Sequence, residues 1–238
     1  MSRTREREGL ERPTKKYIKL SGDTGNFGYW DKEIEKNIEL EYPIRFIVLD
    51  ILTTIKGWHG SKEAGIYSNE IHNQLTEILK VGIFKNGELA TGLYADIKEK
   101  VKGVGGKFAN SVYAMMVVDN EPELVNFQLL GAPLSAFFDF KKDNDIYKNA
   151  INIVDVMPAK KGKTDYFIPV FEANGITAEE SKAADLLDIE LQKYLDKYKL
   201  GQLDSSKVEE VPDDEKDEFV PDESTAPIDN SDTPFEVD

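Results

Sequence analysis

The segment 44–55 constrains the fold more than any other part of the chain. It reads Ile-Arg-Phe-Ile-Val-Leu-Asp-Ile-Leu-Thr-Thr-Ile and contains neither glycine nor proline. Large apolar and β-branched residues at this density are typical of a long, deeply buried strand. A twisted, partly closed barrel is the economical way to bury such a strand, because closure leaves few exposed strand edges.

The residues that follow this strand combine aromatic and cationic side chains. Lys56, Gly57, Trp58, His59 and Gly60 have glycine on both sides of an aromatic pair, which predicts a turn, and segment 65–70 returns as a shorter strand. A tryptophan beside a lysine suits a surface that stacks bases and contacts phosphates. The alternative is that Trp58 caps one end of the core.

The rest of the chain predicts a strand-rich α+β domain with two inserted helices and a C-terminal helix. Leu89, Leu93, Ile97 and Val101 recur at a spacing of four, which predicts a helix, and Thr177 with Glu180 forms a capping box at the start of the last helix. Asn86-Gly87 is a turn signal. Strands are predicted at 15–20, 80–85, 107–118 and 123–130 and in a hairpin of 151–157 and 166–171, and helices at about 89–101, 132–143 and 177–198.

The charge of the chain is concentrated at its C-terminus. The net charge is −15, but residues 201–238 hold 14 acidic residues against two lysines, so the remainder is close to neutral. An acidic, proline-containing segment of this kind cannot bury enough apolar surface to fold. The predicted organisation is a flexible basic arm at 1–13, a folded domain at 14–175, a C-terminal helix at 176–200 and a disordered acidic tail at 201–238.

Several functional classes lack their sequence signatures. The chain has no cysteine, which excludes disulfides and thiolate metal sites and fits a cytoplasmic location. It has no apolar run long enough to span a membrane, and no phosphate-binding loop, serine-hydrolase elbow or zinc-protease motif. Asp50, Glu63 and Glu70 leave a metal-dependent nuclease as a remote alternative. We therefore predict a protein that is not an enzyme and has neither metal nor cofactor.

Aromatic and cationic residues lie side by side repeatedly in the first half of the chain. Tyr17 is near Lys19, and Tyr29-Trp30 is followed by Lys32. Such pairs predict a groove for single-stranded nucleic acid, in which aromatics stack bases and lysines attract phosphates. The candidate nucleic-acid-binding residues are Lys19, Tyr29, Trp30, Lys56, Trp58, His59, Tyr67, Tyr94, Lys98, Lys107 and Phe108.

The C-terminal sequence resembles the acidic tip of bacterial single-stranded DNA-binding proteins. It ends Asp-Asn-Ser-Asp-Thr-Pro-Phe-Glu-Val-Asp, with three residues after the Pro-Phe pair that ends the tip in that family. The resemblance implies that Asp232, Pro234 and Phe235 bind partner proteins of replication or recombination.

The body resembles single-stranded DNA-binding proteins of tailed bacteriophages. The likeness covers residues 15–157 and rests on Ile-Tyr-Ser-Asn-Glu at 66–70, Gly-Glu-Leu-Ala-Thr-Gly-Leu-Tyr-Ala-Asp-Ile-Lys at 87–98 and Gly-Gly-Lys-Phe-Ala-Asn-Ser-Val-Tyr at 105–113. It implies an OB-like barrel that coats viral single-stranded DNA and recruits partners through its tail. The alternative function is a protein–protein scaffold whose barrel binds another polypeptide.

Overall fold

The computed structural model describes residues 12–204, and within this range the chain is a strand-rich α+β protein with eleven strands and three helices. Residues 1–11 of the arm predicted at 1–13 and residues 205–238 of the tail predicted at 201–238 lie outside the described residues. The strands are β1 (Tyr17–Leu20), β2 (Phe27–Asp31), β3 (Lys36–Glu39), β4 (Ile44–His59), β5 (Ala64–Ser68), β6 (Leu79–Ile83), β7 (Gly87–Gly92), β8 (Gly106–Val118), β9 (Glu121–Leu130), β10 (Ala150–Lys161) and β11 (Thr164–Asn174). The helices are α1 (Tyr94–Lys102), α2 (Ala132–Asp143) and α3 (Ala178–Asp204).

The strands form one mixed sheet, and this sheet is open. Its order is β3-β2-β1-β9-β8-β4-β5-β6-β7, with β10 paired to β4 and β11 paired to β10. Only the β1–β9 pair is parallel among the described strand pairs. The end strands β3 and β7 do not pair with each other within residues 12–204, so the sheet lacks the closure that the sequence predicted.

The long apolar segment forms the central strand, and this strand is longer than predicted. β4 continues to His59, so the turn predicted at 56–60 is wrong. Lys56 and Gly57 pair with β8 on one side and with β5 on the other. These two ladders satisfy the backbone groups of the segment, and the chain reverses only after His59, at residues 60–63.

Most other predicted elements are confirmed, with one clear correction. The helix predicted at 89–101 begins only at Tyr94, because residues 87–92 form β7 in a hairpin with β6 around the Asn86-Gly87 turn. Leu89 still packs against the same apolar cluster as Ile97 and Val101. A strand and a helix that pack on the same core can thus place apolar residues at a spacing of four, a pattern that predicts one continuous helix.

The two faces of the sheet carry different layers. One face holds the main apolar core, in which Phe46, Val112 and Phe127 pack together with α2 and β10. We call the opposite face the helix face, because Leu52 and Leu124 on it pack against Leu191 and Leu195 of α3. No helix in the described part of the chain is long and apolar enough to cross a membrane.

The beginning of α3 is fixed to the sheet by an ion pair and a confirmed capping box. The Thr177 N–H donates to Glu180 Oε2 at 2.8 Å, and the Glu180 N–H donates to Thr177 Oγ1 at 3.2 Å. Arg45 of β4 donates to both carboxylate oxygens of Glu180, from Nε at 2.7 Å and from Nη2 at 3.0 Å. The helix then continues to Asp204, four residues beyond its predicted end at residue 200.

We expect the Arg45–Glu180 pair to make the unfolding free energy depend on pH. The hydrogen bonds that Arg45 donates to Glu180 lower the pKa of this carboxyl group from 4.5 to about 2. A lowered carboxyl pKa stabilises the fold above the unfolded value, and that stability is lost as the pH falls from about 4.5 to 2. Arg45→Met should remove about 1–3 kcal/mol of this pH-dependent stability, measured by urea unfolding at pH 6 and pH 3. If the unfolding free energy fell equally between pH 6 and pH 3 in the wild type and in Arg45→Met, the assignment of this pH dependence to the Arg45–Glu180 pair would be contradicted.

Candidate nucleic-acid interface

Three of the predicted site residues lie in one row across three neighbouring strands. Lys107 of β8 is directly opposite Lys56 of β4, which is directly opposite Tyr67 of β5. Directly opposite residues of an antiparallel ladder project from the same face. Trp58 follows Lys56 by two residues and therefore projects from that face too. We call Lys56, Trp58, Tyr67 and Lys107 the cationic row, and all four side chains are half-buried.

The cationic row lies on the helix face. Leu52, which packs against α3, precedes Lys56 by four residues in β4 and therefore projects from the same side. Four residues of strand span about 13 Å. The row is thus a continuation of the surface on which α3 packs.

The two lysines of the row lie directly opposite each other on β4 and β8. Side chains directly opposite each other on an antiparallel pair have Cβ atoms about 5 Å apart, and like charges there repel each other. An anion between the two ammonium groups would be attracted by both.

Glycines shape the aromatic part of the row. Tyr67 is opposite Gly82 of β6, and a Cβ at Gly82 would lie 3.0 Å from the ring carbon Cζ of Tyr67. The ring therefore extends over the backbone of β6, where any larger side chain would obstruct it. At the other side, a Cβ at Gly57 would lie 2.3 Å from the carbonyl oxygen of Gly105. This close backbone approach holds the end of β4, and with it Trp58, against the start of β8.

Sequence reasoning missed one residue of this surface. Lys80 precedes Gly82 by two residues in β6, so it projects from the same face as Tyr67 and adds a third lysine. Its side chain is half-buried. The alternation of side chains along β6 would have placed Lys80 on this face if the pairing of β5 with β6 had been inferred from the sequence.

Two predicted site residues are buried, which corrects their assignment to an exposed groove. Tyr29 is 8% exposed within the main core, and this burial raises the pKa of its hydroxyl. His59 is 9% exposed, and its Nδ1 lies 3.3 Å from the Ser61 hydroxyl. Side chains alternate between the two faces along β2 and β4, so Tyr29 and His59 project from the face opposite to that of Trp30 and Trp58.

The remaining candidates lie apart from the cationic row. Lys19 of β1 is opposite Gly28, and Trp30 follows Gly28 by two residues, so both belong to the helix face but lie beyond β9. Tyr94 packs against Phe108, with ring centroids 4.9 Å apart, on the other face of β8. Lys98 is exposed on α1. The tail residues Asp232, Pro234 and Phe235 lie outside the described residues.

Two of the three carboxylates considered for a nuclease, Asp50 and Glu70, serve other contacts. The Tyr113 hydroxyl donates to Glu70 Oε2 at 2.8 Å, and burial together with this carboxylate raises the pKa of Tyr113 well above its usual value. Asp50 Oδ2 lies 2.9 Å from His72 Nε2 and accepts from Gln192 of α3 at 3.2 Å. Within residues 12–204, no group of three or more potential ligand side chains could hold a metal ion.

Comparison of the chain with protein-family models, with curated proteins and with solved structures found no match.

Proposed function

We propose that the protein binds single-stranded DNA on the helix face of the sheet, as a non-enzymatic, OB-like DNA-coating protein. The observation that carries the proposal is the row of Lys107, Lys56 and Tyr67 on three adjacent strands, with Trp58 beside it. Single strands expose both base faces and phosphates, and a surface with aromatics and lysines in register can contact both at once.

The two kinds of side chain divide the work. Tyr67 and Trp58 stack bases, which contributes about 1–3 kcal/mol per base and tolerates any base. Lys56, Lys107 and Lys80 contact phosphates, and this attraction weakens as the salt concentration rises. Binding of this kind has little sequence specificity, as a coating function requires.

The proposed function gives the acidic tail two roles. Its negative charge competes with DNA for the lysines of the cationic row. Its Pro234-Phe235 pair, which resembles the tip of bacterial single-stranded DNA-binding proteins, recruits replication or recombination proteins. Both roles follow from the sequence of the tail.

A protein–protein scaffold is the second candidate, and the outer surface of α3 favours it. Leu186, Ile189 and Leu200 are more than half exposed on this helix. Exposed apolar side chains of this size are common at surfaces that bind another polypeptide. In this case the protein would bind no oligonucleotide at low salt.

Substitution of the tryptophans tests the proposed site. We expect Trp58→Ala to weaken binding of labelled oligo-dT by about 1–3 kcal/mol, because a stacking surface is lost, while Trp58→Phe keeps most of the affinity. Trp30→Ala should cost less, because β2 is separated from β4 by three strands. Fluorescence anisotropy measures the affinities and thermal melting confirms folding. Unchanged affinity of a folded Trp58→Ala protein would exclude this residue from the site.

A further inference from the structure

Polar side chains are buried on the helix face beside α3, where a packed core normally has apolar ones. Asn126 of β9 has no exposed surface, and neither its amide nitrogen nor its amide oxygen has a hydrogen-bond partner. The hydroxyl of Ser111, which is 1% exposed, also has no partner. A buried amide without a partner carries its full desolvation penalty, so its presence in a core calls for a cause outside packing.

The register of the sheet places these side chains on one surface. Asn126 is opposite Tyr113, and Ser111 is opposite Gln128, so all four project from the helix face. Gln128 is itself 6% exposed. We call Ser111, Asn126 and Gln128 the polar floor. Leu124, two residues before Asn126, packs against Leu191 and Leu195, which places α3 over this part of the sheet.

The polar floor lies between the cationic row and a further lysine, Lys19. On one side is Lys107, which lies in the same strand as Ser111, four residues closer to the start of β8. On the other side, Lys19 lies one residue beyond the pair of Ile18 with Phe127, and so beside Gln128. A single strand that crosses the sheet from the cationic row towards β1 would therefore pass over the floor.

The first turn of α3 and its C-terminal part are held to the rest of the fold by different contacts. Its first turn is fixed by the two hydrogen bonds from Arg45 to Glu180 and by the capping box. From residue 186 onward, α3 packs on the sheet through one apolar cluster, in which Leu191 and Leu195 are fully buried and Leu187 and Tyr194 are half-buried. Hydrogen bonds add to this cluster: Gln192 donates to Asp50 of β4 at 3.2 Å, and the Tyr198 hydroxyl accepts from the N–H of Glu70, which follows β5, at 3.1 Å. An element held through one such cluster can open locally while the rest of the fold stays intact.

We propose that the C-terminal part of α3 is a displaceable cover, and that the polar floor beneath it contacts the bases of bound single-stranded DNA. This inference rests on the proposed function and extends its site. Asparagine and glutamine amides donate to and accept from base edges, and a serine hydroxyl does either. When α3 lies on the sheet, the Asn126 amide and the Ser111 hydroxyl are buried without partners. When α3 is displaced, a base supplies the partners, and the helix stays attached through Arg45 and Glu180.

The first test uses two asparagines that differ in the face they occupy. Asn126→Leu removes the unpartnered amide from the polar floor and keeps the branching and the number of heavy atoms of the side chain. Asn110→Leu is the matched control, because Asn110 is also buried with an unpartnered Oδ1 but projects from the opposite face of β8. We expect Asn126→Leu to raise the melting temperature and to weaken oligo-dT binding about fivefold to tenfold. Asn110→Leu should leave the affinity unchanged. Wild-type affinity in Asn126→Leu, or equal losses in both variants, would overturn the inference.

The second test locks α3 in place. The chain has no cysteine, so Asp50→Cys combined with Gln192→Cys provides the only two thiols, and a short bis-maleimide joins them. We expect the bridged protein to bind oligo-dT at least tenfold more weakly than the same protein capped with N-ethylmaleimide. Equal affinity of the bridged and capped proteins would overturn the inference that α3 must be displaced for DNA to bind.

The outcomes separate this inference from the proposed function. If the wild type binds oligo-dT and loses affinity when Lys56 and Lys107 are replaced, the proposed function stands whatever the bridge does. Insensitivity to the bridge then overturns only the cover. A wild type that does not bind oligo-dT at low salt overturns both.

Discussion

Lys56→Ala combined with Lys107→Ala is expected to weaken binding of single-stranded DNA about 30-fold at 0.1 M salt. Each lost phosphate contact on a single strand reduces the slope of log affinity against log salt by about 0.7, which corresponds to about 1 kcal/mol at this salt concentration. The double variant should therefore show a slope smaller by about 1.4. Anisotropy titrations of labelled oligo-dT across a series of salt concentrations measure both quantities.

A charge-matched control separates the cationic row from the net charge of the protein. Lys182→Ala combined with Lys193→Ala removes the same charge from exposed positions of α3. We expect its affinity and its salt slope to remain near those of the wild type. If both double variants lose affinity and slope equally, the protein attracts DNA through its overall field, and the register of Lys56 with Lys107 has no special role.

Removal of the acidic tail is expected to tighten DNA binding, most strongly at low salt. Residues 205–238 carry 13 acidic residues and two lysines, and truncation after Asp204 leaves α3 complete. A tethered segment has an effective concentration of roughly millimolar, which is enough for weak electrostatic competition at the lysines. We expect a gain of roughly tenfold at 20 mM salt and little gain at 200 mM, since screening suppresses attraction between exposed charges.

The comparison for the tail is a full-length variant in which its Asp and Glu residues become Asn and Gln. This variant keeps the length and loses the charge, so it should bind as tightly as the truncated protein. An affinity that is the same for full-length and truncated protein at both salt concentrations would leave the tail as a solubility device. Truncation should also abolish recruitment of partner proteins, because Phe235 is removed.

The strand content of the fold could be predicted because local composition determines it. The segment 44–55 could form only a buried strand, and α2 begins and ends where Pro133 and the apolar pattern predicted. The end of β4 and the start of α1 could not be predicted in this way. Gly57 suggested a turn, yet it serves the close approach of β4 to Gly105, which is a contact between distant parts of the chain.

The candidate site could be predicted in composition but not in arrangement. Lys56, Tyr67 and Lys107 lie far apart in the sequence, and only the pairing of β4 with β5 and β8 brings them into one row. The same alternation that exposes Trp30 buries Tyr29, and it cannot be assigned before the sheet faces are known. The polar floor could not be inferred from the sequence, because Ser111, Asn126 and Gln128 resemble solvent-facing strand residues until the position of α3 is known.

The most direct test of single-stranded DNA binding is one pair of titrations with labelled DNA. Oligo-dT and duplex DNA of the same length are compared by anisotropy at 20 and 200 mM salt. We expect much tighter binding of oligo-dT at both concentrations, because stacking on Trp58 and Tyr67 needs exposed base faces and persists when salt weakens the phosphate contacts. Equal affinity for the two DNAs would contradict it, since the protein would then be a general polyanion binder.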